Sequence, residues 1–184
     1  MVRRVFLGLT LAGTAGWGVW ERLRGGDDGS RQLPAKVRIA GFDAAGRPTG
    51  VTEMATVRRT DAEWKASLAV DQYMVTRRGD TELAYAGEYW NFDGDGLYRC
   101  VCCGTVLFDS RSKYHSGTGW PSFTEPIAKE NVAEAPDNSF GMGRTEVSCR
   151  RCGAHLGHVF DDGPPPGGLR YCMNSVALKF TPRS

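Results

Sequence analysis

The sequence lacks several features that would place it in a large class of proteins. It has no block of like charges, because 23 Lys and Arg residues are scattered among 21 Asp and Glu residues for a formal charge of +2. That balance argues against a protein that binds nucleic acid or acidic lipid. It also has no low-complexity segment, and its 41% hydrophobic and 24% charged residues are typical of a globular protein. With 184 residues, one domain and an appendage are expected.

The N-terminal segment lacks an apolar run of the roughly 20 residues that a membrane-spanning helix needs. Arg3 and Arg4 directly precede a shorter apolar, Gly- and Ala-rich stretch over residues 5–20, in the outline of a twin-arginine export signal. Residues 1–24 are therefore predicted to be such a signal or, because no clean Ala-x-Ala cleavage site precedes Arg22, a membrane anchor. The predicted location is beyond the inner membrane, periplasmic or anchored facing outward, with a cytoplasmic protein as the alternative.

Residues 25–58 are predicted to form a linker and a β-hairpin-like extension. The first eleven of them are polar and Gly-rich, which is typical of a linker. Val37 and Ile39 then alternate with polar residues ahead of a Gly-Arg-Pro turn. This pattern predicts a strand, a turn and a returning strand.

The remaining residues, 59–184, are predicted to form one domain with short helices at its start. Thr60 or Asp61 is a suitable N-cap, Glu63 lies in the first turn, and a second helical turn is expected near residues 71–77. Farther along, short apolar runs are separated by Gly, Pro, Asn and Asp. Many short strands with turn residues between them predict a β-rich domain.

The six cysteines include two Cys-x-x-Cys-Gly turns, "CVCCG" and "CRRCG", which supply Cys100, Cys103, Cys149 and Cys152. Two tight turns that each direct two thiolates at one point suit one tetrahedral zinc ion per chain. Four protein ligands leave no open position, so the predicted role of zinc is structural. Two disulfides and a four-thiolate iron centre are the alternatives. Cys102, inside the first turn, is interpreted as a spare, small apolar side chain.

Cys172 belongs to neither pair. A lone cysteine is more often a buried small hydrophobe than a nucleophile, so its neighbours decide the interpretation. In "LRYCMNS", Arg170 and Asn174 lie two residues before and after it, and on a strand the three side chains share one face. Arg170 either stabilises a thiolate or is a solvated strand residue. Asn174 either orients a ligand or hydrogen-bonds the backbone.

Histidine is scarce, with three in the chain, and two of them stand together in "HLGH" as His155 and His158. Zinc ligation by His155 is an alternative because that residue follows Cys152 closely. Since four cysteines already complete a tetrahedral site, both imidazoles are expected to be available for acid or base chemistry. A Gly-rich loop leads into Trp120, which by itself indicates only core or turn packing.

Taken together, these motifs resemble one family, the B-type methionine sulfoxide reductases, which reduce the R epimer of methionine sulfoxide. The resemblance runs from about Arg59 to Phe180 and includes "DAEW", "GEYW", "YRCVCCGTVLF", "SGTGWPSF", "CRRCGAHLGHVFDDGP" and "RYCMNS". It implies a mainly β fold of two antiparallel sheets with short N-terminal helices, stapled by the four-cysteine zinc site. It also implies that residues 59–184 are the catalytic domain.

The resemblance further implies a role for each site residue. Cys172 is the nucleophile that attacks the sulfoxide sulfur and becomes a sulfenic acid, while His155 or His158 protonates or hydrogen-bonds the oxygen. Trp120 forms the wall against which the S-methyl group packs. The implied catalytic residues are Cys172, His155, His158 and Asn174, and the implied substrate-binding residues are Trp120 and Arg170.

One position departs from many relatives, which carry a resolving cysteine between the two glycines of the loop where this chain has Thr118. The usual intramolecular disulfide therefore cannot form. We expect a thioredoxin-like or other external thiol to reduce the sulfenic acid, with Cys102 as the alternative resolving thiol.

The expected partners are few. The resemblance implies oxidised methionine residues of proteins, and free methionine sulfoxide, as substrates. No nucleic acid is expected, contact with a membrane is expected only through an uncleaved N-terminal segment, and a monomer is predicted. The alternative function is a zinc-knuckle binding module without catalysis, which leaves "GWPSF", "HLGH" and "RYCMNS" unexplained.

Overall fold

A computed structural model describes residues 33–139 and 143–184. The predicted export signal and most of the predicted linker lie outside these residues. The described helices are α1 (Asp61–Ser67) and α2 (Val70–Arg78). The described strands are β1 (Lys36–Phe42), β2 (Pro48–Ala55), β3 (Gly96–Cys100), β4 (Val106–Asp109), β5 (Lys113–Tyr114), β6 (Ser122–Phe123), β7 (Val132–Asp137), β8 (Arg144–Cys149), β9 (His155–Phe160), β10 (Arg170–Met173) and β11 (Leu178–Pro182). Neither α1 nor α2 is long and apolar enough to cross a bilayer.

The strands form three antiparallel sheets. The largest has the order β5-β6-β10-β9-β8-β7, and a smaller one has the order β11-β3-β4. Among the strands of the described residues, β1 and β2 pair only with each other, in the segment where the sequence predicts a strand, a turn and a returning strand. The prediction of a mainly β fold with antiparallel sheets and short N-terminal helices is confirmed.

The two short helices begin and end at local sequence signals. Thr60 caps α1 reciprocally, since its hydroxyl accepts from the amide of Glu63 while the Glu63 carboxylate accepts from the amide of Thr60 at 2.7 Å. α2 ends at Gly79, whose φ of 72° is a left-handed conformation that glycine adopts without strain. Trp64 of α1 is buried under the guanidinium of Arg77 from α2, 4.8 Å from its ring centroid.

The core lies between the six-stranded and the three-stranded sheets and is rich in aromatic rings. Tyr98 of β3 and Phe108 of β4 meet Phe123 of β6 at ring-centroid distances of 5.0 and 4.4 Å, and all three side chains are fully buried. Tyr171 of β10 joins them, 6.0 Å from Phe108. Because side chains alternate along a strand, this packing turns the next residue of β10 to the opposite face of the sheet. That residue is Cys172.

A buried side-chain amide attaches the β1–β2 hairpin to the domain. Asn131 is fully buried, and its side chain bonds both the amide and the carbonyl of Ala40, at 2.8 and 2.9 Å. The same amide group donates to the carbonyl of Val106 at 2.7 Å. Asn131 therefore links the hairpin to the first residue of β4.

Candidate active site and metal centre

Cys172 lies in the middle of the six-stranded sheet, on the face opposite the aromatic core. It is half-buried, and its register partners are Ser122 of β6 on one side and His158 of β9 on the other. Residues directly opposite each other on neighbouring strands project from the same face. The fold therefore places the predicted nucleophile next to one of the two predicted acid–base residues.

Gly157, between the two histidines, permits the close approach of β9 to β10. A Cβ atom at this position would collide with the carbonyl oxygen of Cys172. This close packing accounts for the glycine in the "HLGH" motif.

Arg170 is buried rather than solvated. Its guanidinium makes two hydrogen bonds to the carboxylate of Asp162, each of 2.8 Å, and stacks over the ring of Phe160 at 4.5 Å. Arg170 is 8% exposed although it is charged, and the pairing with Asp162 compensates for its burial.

Burial dominates the acidity of the candidate nucleophile. It raises the pKa of the Cys172 thiol above its ordinary value, while the positive charge of Arg170 and hydrogen bonds from Thr118 and Ser122 act in the opposite direction. Arg170 thus favours the thiolate, as one of the two sequence interpretations holds, but its effect is smaller than the desolvation. Because its pKa is raised, Cys172 favours the neutral thiol over the thiolate.

This environment predicts the pH dependence of Cys172 reactivity. Only the thiolate is alkylated rapidly, so a raised pKa shifts the rise of the alkylation rate to higher pH. We expect the rate for Cys172 still to be rising at about pH 9, above the midpoint of roughly 8.5 for an unperturbed thiol. Peptide mass spectrometry after brief iodoacetamide treatment measures the alkylation rate of Cys172 at each pH. A rate that levels off below about pH 8 contradicts the prediction.

Both histidines of the "HLGH" motif are held by carboxylates. His155 Nδ1 lies 2.7 Å from Glu146 Oε1, and His158 Nε2 lies 2.8 Å from Asp137 Oδ2. The two rings meet edge to face at a centroid distance of 5.4 Å. An ionised carboxylate accepts hydrogen bonds only, so each of these nitrogens carries its proton and the other nitrogen of each ring remains to interact with a ligand.

His155 and His158 differ in their surroundings. Within the described residues, His155 Nε2 is buried and has no hydrogen-bond partner, an arrangement that is costly unless a ligand or water satisfies the atom. Burial lowers the pKa of His158, and the hydrogen bond to Asp137 partly offsets this effect. Hydrogen bonds from Ser139 and His158 in turn hold the pKa of Asp137 well below its usual range.

Glu82 connects two of the predicted site residues, although no sequence motif singles it out. Its carbonyl accepts from the indole Nε1 of Trp120 at 3.1 Å, and its amide donates to Asn174 Oδ1 at 3.0 Å. Its carboxylate accepts from the amides of Ser175 and Val176 at 2.6 and 3.0 Å. Trp120 and Asn174 are therefore positioned through one residue that lies far from both in the chain.

The side chain of Asn174 forms hydrogen bonds with backbone groups. Besides accepting from Glu82, it donates to the carbonyl of Leu156 at 3.0 Å, and it is 3% exposed. The sequence left two roles open for Asn174, orienting a ligand or hydrogen-bonding the backbone, and the structure shows the second. Asn174 thereby joins the end of β10 to β9 between the two histidines.

The loop that carries Thr118 is held by Tyr85. The Tyr85 hydroxyl donates to the carbonyl of Gly117 at 2.6 Å, and its amide donates to the carbonyl of Gly119 at 2.8 Å. Tyr85 adopts a φ of 64°, a rare conformation for a residue with a side chain. Thr118 Oγ1 lies 4.0 Å from Cys172 Sγ, so the residue that replaces a resolving cysteine contacts the candidate nucleophile.

The four paired cysteines converge into one cluster. Their sulfur atoms all lie within 4.8 Å of one another, with 3.6 Å between Cys100 and Cys152 and 3.5 Å between Cys103 and Cys149. A tetrahedral zinc ion with Zn–S bonds of about 2.3 Å would separate its sulfur ligands by roughly 3.8 Å. The separations fit that ion, and among the described cysteines none forms a disulfide.

The two knuckles have the same backbone geometry, which explains the repeated Cys-x-x-Cys-Gly sequence. Gly104 donates to the carbonyl of Cys100 and Gly153 to that of Cys149, each at 2.8 Å. Their φ values of 74° and 67° lie in the left-handed region that favours glycine. His155 is engaged with Glu146 and is not a member of the cluster, so the alternative of histidine ligation is not supported.

Cys102 is buried in the first knuckle, where it contacts α2. Its sulfur donates to the hydroxyl of Thr76 on α2 at 3.4 Å, and the side chain is 8% exposed. Cys172 has neighbours of its own, Thr118 and Ser122. The structure thus places the spare cysteine in the core contact between the knuckle and α2.

Comparison with known proteins agrees with this geometry. A model of the SelR domain matches residues 68–182. Peptide methionine sulfoxide reductase MsrB of Thiobacillus denitrificans is 54% identical over 125 residues, which cover 68% of this chain and 95% of that protein. The MsrB of Pseudomonas fluorescens is 53% identical over 130 residues, covering 71% and 100%, and that of Synechococcus sp. is 52% identical over 124 residues, covering 67% and 91%. The chain belongs to the family of B-type methionine sulfoxide reductases.

Proposed function

We propose that the protein reduces the R epimer of methionine sulfoxide, with Cys172 as the nucleophile. The observation that carries the proposal is the half-buried Cys172 thiol beside His158, on a sheet face where two carboxylate-bound imidazoles meet. The Cys172 thiolate attacks the sulfoxide sulfur, and the oxygen passes to the cysteine with one proton from the site. Cys172 is oxidised to a sulfenic acid by two electrons, and the sulfoxide is reduced to methionine by the same two.

The imidazoles supply the proton that this transfer requires. An unprotonated sulfoxide oxygen leaves poorly, and a positioned imidazolium whose second nitrogen faces the substrate lowers that barrier. Asp137 favours the imidazolium form of His158 through its hydrogen bond, against the larger opposing effect of burial, and Glu146 holds the ring of His155 in place. The unpartnered Nε2 of His155 supports a substrate oxygen as its missing partner.

The sulfenic acid is returned to the thiol by an external reductant. One thiol attacks it with release of water to give a mixed disulfide, and a second thiol then regenerates Cys172 and leaves as the oxidised disulfide. A thioredoxin-like dithiol provides both. The burial of Cys102 against Thr76 supports an external thiol over internal resolution.

Trp120 is proposed as the wall for the S-methyl group, and paired variants separate its ring from its hydrogen bond. Trp120→Phe keeps an apolar face but loses the bond from Nε1 to Glu82, so kcat/KM is expected to fall by roughly 2- to 10-fold. Trp120→Ala removes the face, and a loss of about 100-fold is expected. Steady-state kinetics on methionine-R-sulfoxide, with thermal unfolding to verify the fold, tests both. Equal losses would show that the indole acts by its hydrogen bond alone.

The protein is proposed to act on oxidised methionine residues of proteins, outside the cytoplasm and as a monomer. The twin arginine and the apolar stretch of residues 5–20 support export. An N-terminal fragment fused to a reporter that is active only after export tests the location. Gel filtration with light scattering tests the monomer, and an oxidised, unfolded protein compared with the free amino acid tests the substrate.

The proposed reaction is tested by incubating each sulfoxide epimer separately with the zinc-loaded protein and dithiothreitol. We expect methionine from the R epimer only. Consumption of neither epimer would overturn the proposal and favour the zinc-knuckle binding module. Consumption of the S epimer at a similar rate would contradict the stereochemical assignment.

A further inference from the structure

Three hydroxyl groups form a connected cluster beside Cys172. Ser116 Oγ lies 2.7 Å from Ser122 Oγ and 2.9 Å from Thr118 Oγ1. Ser122 is fully buried and directly opposite Cys172 in the sheet register, and Thr118 Oγ1 is 4.0 Å from the sulfur. The histidine and zinc motifs do not account for this cluster.

Proton counting shows which hydroxyl is available to the sulfur. Each hydroxyl donates one proton. Four contacts compete for three protons: Ser122 with the carbonyl of Trp120 at 3.3 Å, the two shorter hydroxyl pairs, and Thr118 with Cys172. The longest oxygen contact, that with the carbonyl, is given up when Ser122 donates to Ser116 and Ser116 donates to Thr118. Ser116 also accepts from the amide of Thr118 at 3.4 Å. A charged thiolate favours this donor order, because a hydrogen bond to an anion is stronger than one to a neutral carbonyl, and the Thr118 proton then remains for Cys172.

We propose that Thr118 is a catalytic residue, whose hydroxyl donates a hydrogen bond to the Cys172 thiolate before attack and to the sulfenic acid oxygen afterwards, with Ser116 as the positioning residue. The proposal rests on the proposed function. A hydroxyl at this position cannot form a disulfide, but it can stabilise each anionic or polar state of the sulfur in turn. Thr118 thus replaces a resolving thiol with a hydrogen-bond donor.

The rigidity of the loop supports this role. Tyr85 bonds the carbonyls of Gly117 and Gly119, on either side of Thr118. Because the backbone is held on both sides of Thr118, the hydroxyl stays directed at the sulfur and no conformational entropy is lost in ordering the loop at each turnover. The hydrogen bond from Thr118 also lowers the pKa of Cys172 against the effect of burial.

The test measures the pH dependence of Cys172 alkylation in the full, zinc-loaded protein by peptide mass spectrometry. Thr118→Val removes the hydroxyl at nearly constant volume, and the midpoint is expected to move up by about one pH unit, a roughly tenfold loss of thiolate at neutral pH. Thr118→Ser keeps the hydroxyl, and we expect its midpoint to match that of the unchanged protein. Ser116→Ala is expected to move the midpoint in the same direction by a smaller amount.

The titratable neighbours of Cys172 stay in place in these variants: Arg170 on its own strand, His158 on β9 and Tyr114 on β5. An unchanged midpoint in Thr118→Val overturns the proposal, as does a shift in Thr118→Ser as large as that in Thr118→Val. If Thr118→Val does not fold, Thr118→Ala provides the same comparison. Alkylation involves no sulfoxide, so this result is independent of the proposed reaction. A shifted alkylation midpoint in a protein that does not reduce sulfoxide would support the hydrogen bond and contradict the proposed function.

Discussion

Turnover of methionine-R-sulfoxide is expected to fall by at least about 1,000-fold in Cys172→Ser, because a serine hydroxyl is far too weak an acid and nucleophile to accept the oxygen. Cys172 lies outside the four-cysteine cluster and its side chain faces away from the aromatic core. Zinc content and the midpoint of thermal unfolding are therefore expected to match those of the unchanged protein. Reductase assays, elemental analysis and circular dichroism measure the three quantities.

The matched control is Cys102→Ser, which changes a cysteine of similar size in the knuckle. Its first turnover and its steady-state rate with dithiothreitol are expected to stay within about threefold of the unchanged protein, an effect of less than about 1 kcal/mol. Abolished steady-state turnover with an intact first turnover and intact zinc content would identify Cys102 as the resolving thiol. Substantial activity in Cys172→Ser would remove the nucleophile from the proposed mechanism.

Removal of one zinc ligand is expected to unfold the domain. Cys149 is fully buried, and its knuckle at the end of β8 meets the knuckle at the end of β3, so a zinc ion held by both knuckles would tie the large sheet to the small one. A structural zinc ion contributes about 10–16 kcal/mol in small peptides, whereas the net stability of a domain is about 5–15 kcal/mol. Cys149→Ser is therefore expected to lose zinc and show no cooperative unfolding transition at 25 °C.

Cys102→Ser controls this experiment as well, because it alters the same knuckle as Cys100 and Cys103 without removing a ligand. It is expected to retain one zinc ion per chain and a cooperative transition. A folded, metal-free Cys149→Ser protein would show that the sulfur cluster is dispensable for stability. If the purified protein were coloured and contained iron, the cluster would be the four-thiolate iron centre and not a zinc site.

Local sequence signals predicted the parts of the structure that depend on few residues. The capping pair of Thr60 and Glu63 begins α1 as expected, since both residues belong to one helical turn. Each Cys-x-x-Cys-Gly turn forms its knuckle through bonds within four residues, so the metal cluster could be predicted from two short motifs. Cys172 lies on a strand, as the short apolar runs between turn residues predicted for this region.

Partners distant in the chain could not be predicted in the same way. Glu82 reaches Ser175 and Val176 across more than 90 positions, and no pattern near Glu82 indicates that contact. Asp137, which holds His158, lies 21 residues away on a strand that is not its neighbour in the sheet. Such pairs depend on the order of strands, which a single sequence does not specify.

The electrostatics of Cys172 also required the fold. The sequence showed Arg170 near the sulfur, but the degree of burial and the sharing of that guanidinium with Asp162 follow only from packing. The outcome is a cysteine whose pKa is raised by desolvation and restrained by one cation and two hydroxyls.

The central claim, that Cys172 takes the sulfoxide oxygen, is tested most directly by one turnover without reductant. Zinc-loaded protein is mixed with excess methionine-R-sulfoxide, and the peptides are analysed by mass spectrometry with a sulfenic acid trap while the methionine formed is quantified. The account predicts one oxygen atom on Cys172, trapped as the sulfenic acid, for each methionine produced. Methionine formed with Cys172 unmodified, or with the oxygen or a disulfide located on other cysteines alone, would contradict it.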